Sequence, residues 1–464
     1  MFFASAFVRI HPVIFPLLAA VVLPLNAMAM DPFSTDDLLE RSPLDKTINI
    51  DHCAREKILS PLVLADIVDL ALCNNPHTRS LWASARAQAA QVGTGTAAYL
   101  PTLSATGAVS NNQTQISGQP VVSSLSQTAN VTANYLLYDF GGRSATLENA
   151  KQLLIAVNAT RDATLQSNYL LAVQAYYTLL SARASVESFK VDEITAKESL
   201  SAAQARYQAG VATPVDRLQA QTTLSQASLN RIRSEGDANN AQGTLANIMG
   251  FDATQPYTLQ AVSDQTPDPV IEKDIGKLIA DARKKRPDLA AAESQIKAAE
   301  AQLQATKASG RPTISLGAIA GVSNPDIQSG SWGVTLNVPL FSGYKTNYQI
   351  RAAEAQVDSK IADRDRLNSQ VALDVWKTYQ SMLTNSQALR SADDLVATAT
   401  QSAKMISGRY KAGVGNILDT LTAQSALANA RQQRVAAFYN FLFSRFALAQ
   451  AIGELDLTQI DNKN

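Results

Sequence analysis

Cysteine, histidine and net charge are nearly absent from this chain. Its 464 residues hold two cysteines, three histidines and 40 cationic residues against 40 acidic ones. The charge balance excludes a polybasic surface for nucleic acid. Of the histidines, His11 lies in a leader-like segment, and His52 and His77 have no Cys/His/Asp cluster of metal-ligand spacing around them. With no phosphate loop and no nucleophile motif, the sequence reads as a non-enzyme without cofactors. Cys53 and Cys73 either bridge each other or remain two buried thiols, and a bridge would persist in a secreted protein.

Long apolar runs are also missing. Arg9 precedes the apolar run Val13–Leu25, which ends in Ala27-Met28-Ala29, a pattern expected of a secretory signal over residues 1–29. That run is shorter than the roughly 20 residues a membrane helix needs. No later stretch reaches that length, so strands would have to hold the mature chain in any membrane.

Glycine and proline are absent from Arg143 to Ala209, and only Gly408 interrupts Lys345 to Ala412. Dense Ala, Leu, Gln, Ser and Glu favour one helix in each stretch, 143–209 and 345–412, and about 67 residues would span about 100 Å. Leu154, Val157, Leu165, Tyr169, Val173 and Tyr176 recur at three- and four-residue spacing, as on a helix packed along one side.

The chain also repeats itself. Arg206–Gln221 (RYQAGVATPVDRLQAQ) and Arg409–Gln424 (RYKAGVGNILDTLTAQ) share nine of sixteen residues at an offset of 203. The same offset carries Tyr138 onto Phe341 and Leu245–Gly250 onto Leu448–Gly453. Upstream the offset is 211, matching Asn75-Pro76 with Arg286-Pro287 and Pro101-Thr102 with Pro312-Thr313, so the first copy holds eight extra residues between Pro101 and Tyr138. Two structural repeats follow, 62–250 and 281–453. They are flanked by a segment 30–61, a linker 251–280 and a tail 454–464. Shorter helices are expected at 62–98, 214–249 and 416–452.

Each repeat carries a Thr-, Ser-, Gly- and Asn-rich insert with strict alternation, at about 101–138 and 312–341. Leu103, Ala105, Gly107 and Val109 alternate with Ser104, Thr106, Ala108 and Ser110. Val131, Ala133, Tyr135 and Leu137 do so with Thr132, Asn134 and Leu136; Trp332, Val334, Leu336 and Val338 with Ser331, Gly333, Thr335 and Asn337. Such strand pairs match an outer-membrane barrel, and four strands per chain cannot close one. The fold class expected is mainly α with β: four outer-membrane strands and long helical hairpins, trimerising into a 12-stranded β-barrel continued by a 12-column α-helical barrel.

The repeats, the two X-Pro pairs, Tyr99-Leu100-Pro101-Thr102, Tyr138-Asp139-Phe140-Gly141-Gly142-Arg143 and both RYxAG motifs together resemble the TolC-like outer-membrane efflux proteins over nearly the whole mature chain. The members that serve type I protein secretion look more similar than the lipid-anchored multidrug or heavy-metal members. The resemblance implies a homotrimer in the outer membrane of a Gram-negative bacterium, reaching into the periplasm. Its partners would be outer-membrane lipid, a periplasmic adaptor (membrane fusion protein) and an inner-membrane ABC or other pump. The flanking segments would form a belt.

At the RYxAG tips, Gly210 and Gly413 suit helix ends, and Asp216 and Asp419 fall near the start of each returning helix. Capping and turn chemistry accounts for these residues, and a gate does so too. The resemblance places Asp419 in an acidic constriction ring and makes Asp216, Tyr207 and Tyr410 candidates for a latch. It departs where the family's latch arginine and second ring aspartate would stand, which here are Gly415 and Thr422. Gly210, Val211, Gly413 and Val414 are the expected adaptor-docking surface. Asp139 beside Gly141-Gly142 is read as a strand-to-helix turn in preference to a cation site. A periplasmic coiled-coil adaptor is the competing class, but it would lack two alternating strand pairs.

Overall fold

The computed structural model describes residues 31–39, 61–260, 274–324 and 327–455. The expected signal segment, Cys53, and parts of the expected belt lie outside these residues. A short 3₁₀ turn, Thr35–Leu38, is followed by α1 (Leu64–Asn74), α2 (Pro76–Ala97), β1 (Thr102–Thr114), β2 (Val122–Tyr138), α3 (Gly142–Gln208) and α4 (Pro214–Ile248). The second repeat gives α5 (Ile275–Lys285), α6 (Pro287–Ala308), β3 (Thr313–Ser323), β4 (Ile327–Asn337), α7 (Lys345–Lys411) and α8 (Ile417–Ile452). The segment expected as one helix over 62–98 is thus two. Asn75 is extended, as proline disfavours helical backbone in the residue before it, and Arg286 breaks the second repeat likewise.

The described residues divide into two compact units: 31–39, 84–157, 292–324 and 327–362 form one, and 61–83, 158–260, 274–291 and 363–455 the other. The first holds one antiparallel sheet in the order β1-β2-β3-β4. Its register sets like residues side by side across all four strands. One row runs Leu103, Ala133, Ala318, Trp332, and the next Ala105, Val131, Ala320, Gly330. Between them on the opposite face runs Ser104, Thr132, Ile319, Ser331. The sheet therefore has an apolar face and a face dominated by hydroxyls, amides and glycine, and β1 and β4 are exposed along their whole length.

Two details of the strands differ from expectation. A bulge between Leu136 and Tyr138 gives the apolar-face position opposite Ile314 to Tyr138, not Leu137, because an extra residue switches the alternation. Val338 lies past the end of β4. The eight extra residues of the first repeat fall at the hairpin tip: two on β1, two at the start of β2 and four between these strands. No Asp, Glu, Lys or Arg occurs in any of the four strands.

Beneath the sheet's own chain ends, Ala89 and Val92 of α2 pack on Ala150 and Leu154 of α3. Asn149 Nδ2 donates to the carbonyl of Ala298 at 2.7 Å, tying α3 to α6. In the second unit α1, α3 and α4 share a core built on Ile67, Leu72, Leu165, Tyr169, Leu179, Leu245 and Met249. A parallel bridge joins Leu62 to Leu259 within this unit. A second core joins α5, α7 and α8 through Leu278, Ala282, Val371, Val375, Phe438, Phe441 and Ile452.

Each repeat closes on a glycine. Gly250 and Gly453 are left-handed, at φ 80° and 79°, and end α4 and α8 with paired bonds from Gly250 and Phe251 and from Gly453 and Glu454 to carbonyls three and five residues back. A β-carbon on Gly250 would lie 2.7 Å from the Asn74 carbonyl oxygen, and one on Gly453 3.1 Å from the Lys285 carbonyl carbon. The two X-Pro breaks and the two glycines are therefore one duplicated contact.

One expectation is corrected by α8. That helix is long and apolar enough to cross a membrane by length and composition. Its Phe438, Phe441 and Leu448 are instead buried against α5 and α7, so the apolar composition serves a helical core.

Candidate functional site at the helix tips

The two RYxAG turns come together in the second unit. α3 ends in a Schellman motif: Gly210 N–H donates to Tyr207 O and Val211 N–H to Arg206 O, both at 3.0 Å, with Gly210 at φ 73°. α7 ends identically, through Gly413 to Tyr410 and Val414 to Arg409, with φ 84°. The residue after each glycine is an exposed valine, Val211 at 63% and Val414 at 70%.

The returning helices start with different caps. Thr213 and Asp216 form a capping box, with Thr213 N–H donating to Asp216 Oδ2 at 2.9 Å and Asp216 N–H to Thr213 Oγ1 at 3.3 Å. Asp216 is thus occupied in starting α4. At α8 the Asn416 side chain takes that role, accepting from Leu418 N–H at 3.1 Å. Asp419 is left on the exposed first turn, with no hydrogen bond or ion pair among the described residues.

The duplicated Arg-Tyr pair is used asymmetrically. Tyr207 is 38% exposed, with Arg217 over its ring at 5.3 Å, whereas Tyr410 is 6% exposed and packs with Ala203, Ala220, Ile417 and Leu421. Arg206 crosses from the first tip to the second, donating from Nη1 to the Tyr410 carbonyl at 2.8 Å with its guanidinium 4.7 Å from the Tyr410 ring. Arg409, its counterpart, is exposed. Burial pushes the Tyr410 phenol above its ordinary range, opposed by Arg206 and reinforced by nearby Asp216. Sequence reasoning missed Arg206, although its identity with Arg409 in the repeat was available as a signal.

Gly415 sits tight against the second tip's turn. A β-carbon there would lie 2.8 Å from the Tyr410 backbone nitrogen and 3.1 Å from the Arg409 carbonyl carbon. No longer side chain fits at this position in this backbone.

Above the tips, polar pairs stitch the hairpins. Ser199 and Gln424 exchange hydrogen bonds at 3.0 and 2.9 Å, and Arg431 reaches Asp192 at 3.1 Å. Arg231 binds Glu193 at 2.6 Å and its repeat counterpart Arg434 binds Asp393 at 2.7 Å. Burial pushes the Asp192 carboxyl above the usual range, with Arg431 partly opposing the shift.

At the other candidate positions, Asp139 caps α3. It accepts from Arg143 N–H at 2.6 Å and from Gly141 N–H at 3.3 Å, a turn's bonding pattern. Phe140 and Gly141 are both left-handed, as are Gly343 and Tyr344 in the second repeat, so the duplication keeps the turn while changing which residue is glycine. Cys73 sits near the end of α1 and is not a free thiol. His77 bonds through its backbone, donating its N–H to the Asn75 side chain at 2.9 Å and accepting from Ser80 Oγ at its carbonyl at 2.8 Å. Among the described residues, no group of His, Cys, Asp and Glu is arranged to hold a metal ion.

A duplicated helical chain with one two-faced four-stranded sheet and paired helix turns is the architecture of outer-membrane efflux channels. The family model "Outer membrane efflux protein" matches residues 67–251 and 278–454, and the chain belongs to that family. It is an outer-membrane efflux channel of the TolC type in a Gram-negative bacterium, and not an enzyme. Protein CyaE of Bordetella pertussis is 30% identical over 411 residues, covering 87% of this chain and 86% of that protein. The probable efflux pump outer membrane protein TtgC of Pseudomonas putida is 28% identical over 410 residues, covering 84% and 82%. The crystal structure of the Campylobacter jejuni CmeC outer membrane channel shares the fold at a TM-score of 0.77 and 17% identity, covering 92% of this chain and 96% of that one.

Proposed function

We propose that three copies of this chain form a passive export duct of the outer membrane, most closely suited to type I protein secretion. The observation that carries the reading is the sheet: one face apolar, the other polar, and both edge strands open. An open edge is untenable in lipid because its amides have no partner, so other copies must close it. Two copies give eight strands, whose interior is filled by side chains; three give twelve and leave a lumen. The apolar face then meets lipid and the polar face lines the lumen.

Below the strands the hairpins would assemble into a 12-column helical barrel whose tips narrow around three Asp419 carboxylates. Like charges gathered there attract cations and offer a site for a blocking divalent ion. The tie from Arg206 to Tyr410, with Asp216 and Tyr207 alongside, would hold the tips in their resting arrangement. Gly210, Val211, Gly413 and Val414 would meet the helical hairpin of a periplasmic adaptor, since small residues permit close approach and the two valines are exposed. The driving energy comes from an inner-membrane pump, ABC-type in the leading reading.

The identity to CyaE favours the protein-secretion branch, and the similarity to TtgC favours a multidrug efflux pump as the second reading. Replacing the outer-membrane component of a type I secretion system with this protein separates them. Release of the secreted polypeptide into the medium supports the first reading. Restored drug resistance without polypeptide release supports the second. A mature protein recovered as a water-soluble monomer, without detergent, would overturn the duct itself.

A further inference from the structure

The duplication departs sharply along α4 and α8, and a cavity lies beside them. At an offset of 203, α8 carries Phe438, Tyr439, Phe441, Phe443 and Phe446 where α4 carries Glu235, Gly236, Ala238, Asn240 and Gly243. Aromatics are only 6% of the chain, so their concentration on one helix is a local departure from a small-residue pattern. On α3, between these helices, the twin Tyr176-Tyr177 meets them, with Tyr177 ring centroids 6.3 Å from Tyr439 and 6.1 Å from Phe446.

The mismatch of a bulky α8 with a slender, polar α4 leaves a groove of about 710 Å³ over α3. Tyr177, Phe189, Tyr439 and Phe443 form its aromatic wall, and Arg233 and Asp237 stand on the opposing α4 side. The volume falls within the roughly 300–1,000 Å³ of small-molecule sites, and the mixture of aromatic walls with a few polar groups is the chemistry such sites use. The Tyr177 phenol is a neutral hydrogen-bonding group near neutral pH, and burial pushes it further above its ordinary range.

We propose that this groove binds an aromatic amphiphile of small-molecule size, its ring against Tyr177, Tyr439 and Phe443 and its polar end toward Arg233 and Asp237. Rings stack in offset or edge-on contact with such a wall, and Arg233 favours an anionic or hydrogen-bond-accepting head.

The test is equilibrium dialysis of 8-anilinonaphthalene-1-sulfonate against the purified full-length protein in amphipol, with empty amphipol as the blank. The expected result is saturable uptake of one molecule per chain above the blank. Ser181→Trp, which fills the groove, should weaken uptake at least tenfold, and Phe443→Ala should weaken it several-fold, with both variants retaining the wild-type elution volume. Uptake equal to the blank would overturn the proposal, whether the groove is empty of affinity or occupied by a neighbouring copy. Saturable uptake unchanged by Ser181→Trp would also overturn it, by placing the dye elsewhere.

Discussion

Arg206 of the first helix tip holds Tyr410 of the second twice, through a 2.8 Å bond to its carbonyl and through a guanidinium 4.7 Å from its ring. A hydrogen bond from a charged donor contributes about 1.5–3 kcal/mol, and a cation over an aromatic face adds about 0.5–1 kcal/mol where it is partly exposed. Arg206→Ala should therefore release the second tip, with amides near Tyr410 exchanging at least tenfold faster. Arg409→Ala, at the exposed counterpart, should leave exchange unchanged. Equal effects from the two would show that Arg206 is not a tie.

The two repeat-closing glycines should be more sensitive than glycines elsewhere. Left-handed backbone costs a residue with a β-carbon about 1–2 kcal/mol, and at Gly250 that carbon would also press on Asn74. Gly250→Ala and Gly453→Ala should lower the thermal unfolding midpoint followed by circular dichroism. Gly236, in the middle of α4 with open space around it, should respond oppositely. Replacing it with alanine should stabilise by about 0.5–1 kcal/mol.

Asp192 gives the fold a defined response to pH. Burial raises its folded carboxyl pKa above the unfolded value, with Arg431 recovering only part. Its contribution to stability is fully present below the ordinary aspartate range and is lost as pH rises through the folded pKa. Relative to Asp192→Asn, the wild type should be favoured most in acid and progressively less toward neutral pH. Chemical unfolding of both proteins at several pH values between about 3 and 7 reads this difference. An advantage that grows with pH would contradict it.

Much of this architecture was legible because its signals are periodic. The absence of glycine and proline from Arg143 to Ala209 marked α3, which runs Gly142–Gln208, and alternation marked all four strands. The register then aligned Leu103 with Ala133, Ala318 and Trp332, which no single strand's pattern could reveal. What escaped was set by tertiary contact: the bulge that hands a face from Leu137 to Tyr138, and the choice of Arg206 over Arg409. Two copies of one motif carry the same local signal, and only the packing of Tyr410 beside Ala220 and Ile417 separates them. The groove beside Tyr177 was equally silent, since it arises from a mismatch between helices far apart in sequence.

Adjacent residues on β2 offer a test of the sheet's two faces. Val131 shares a row with Ala105 and Ala320, and Thr132 shares one with Ser104 and Ser331. A lysine facing lipid near the bilayer midplane costs about 2–4 kcal/mol, and one facing a wet lumen costs little. Val131→Lys should sharply reduce trimer recovered from outer membranes, whereas Thr132→Lys should assemble normally. Because the strands carry no charge of their own, Thr132→Lys should also shift ion selectivity toward anions.

Single-channel conductance in planar bilayers, comparing wild type with Asp419→Ala, tests the central claim most directly. The account predicts small, cation-selective steps for the wild type, blocked by a divalent cation at the periplasmic side, and larger, less selective, unblocked steps for the variant. Well-folded protein that inserts but conducts no current, or conductance indifferent to Asp419, would contradict a trimeric duct constricted by these carboxylates.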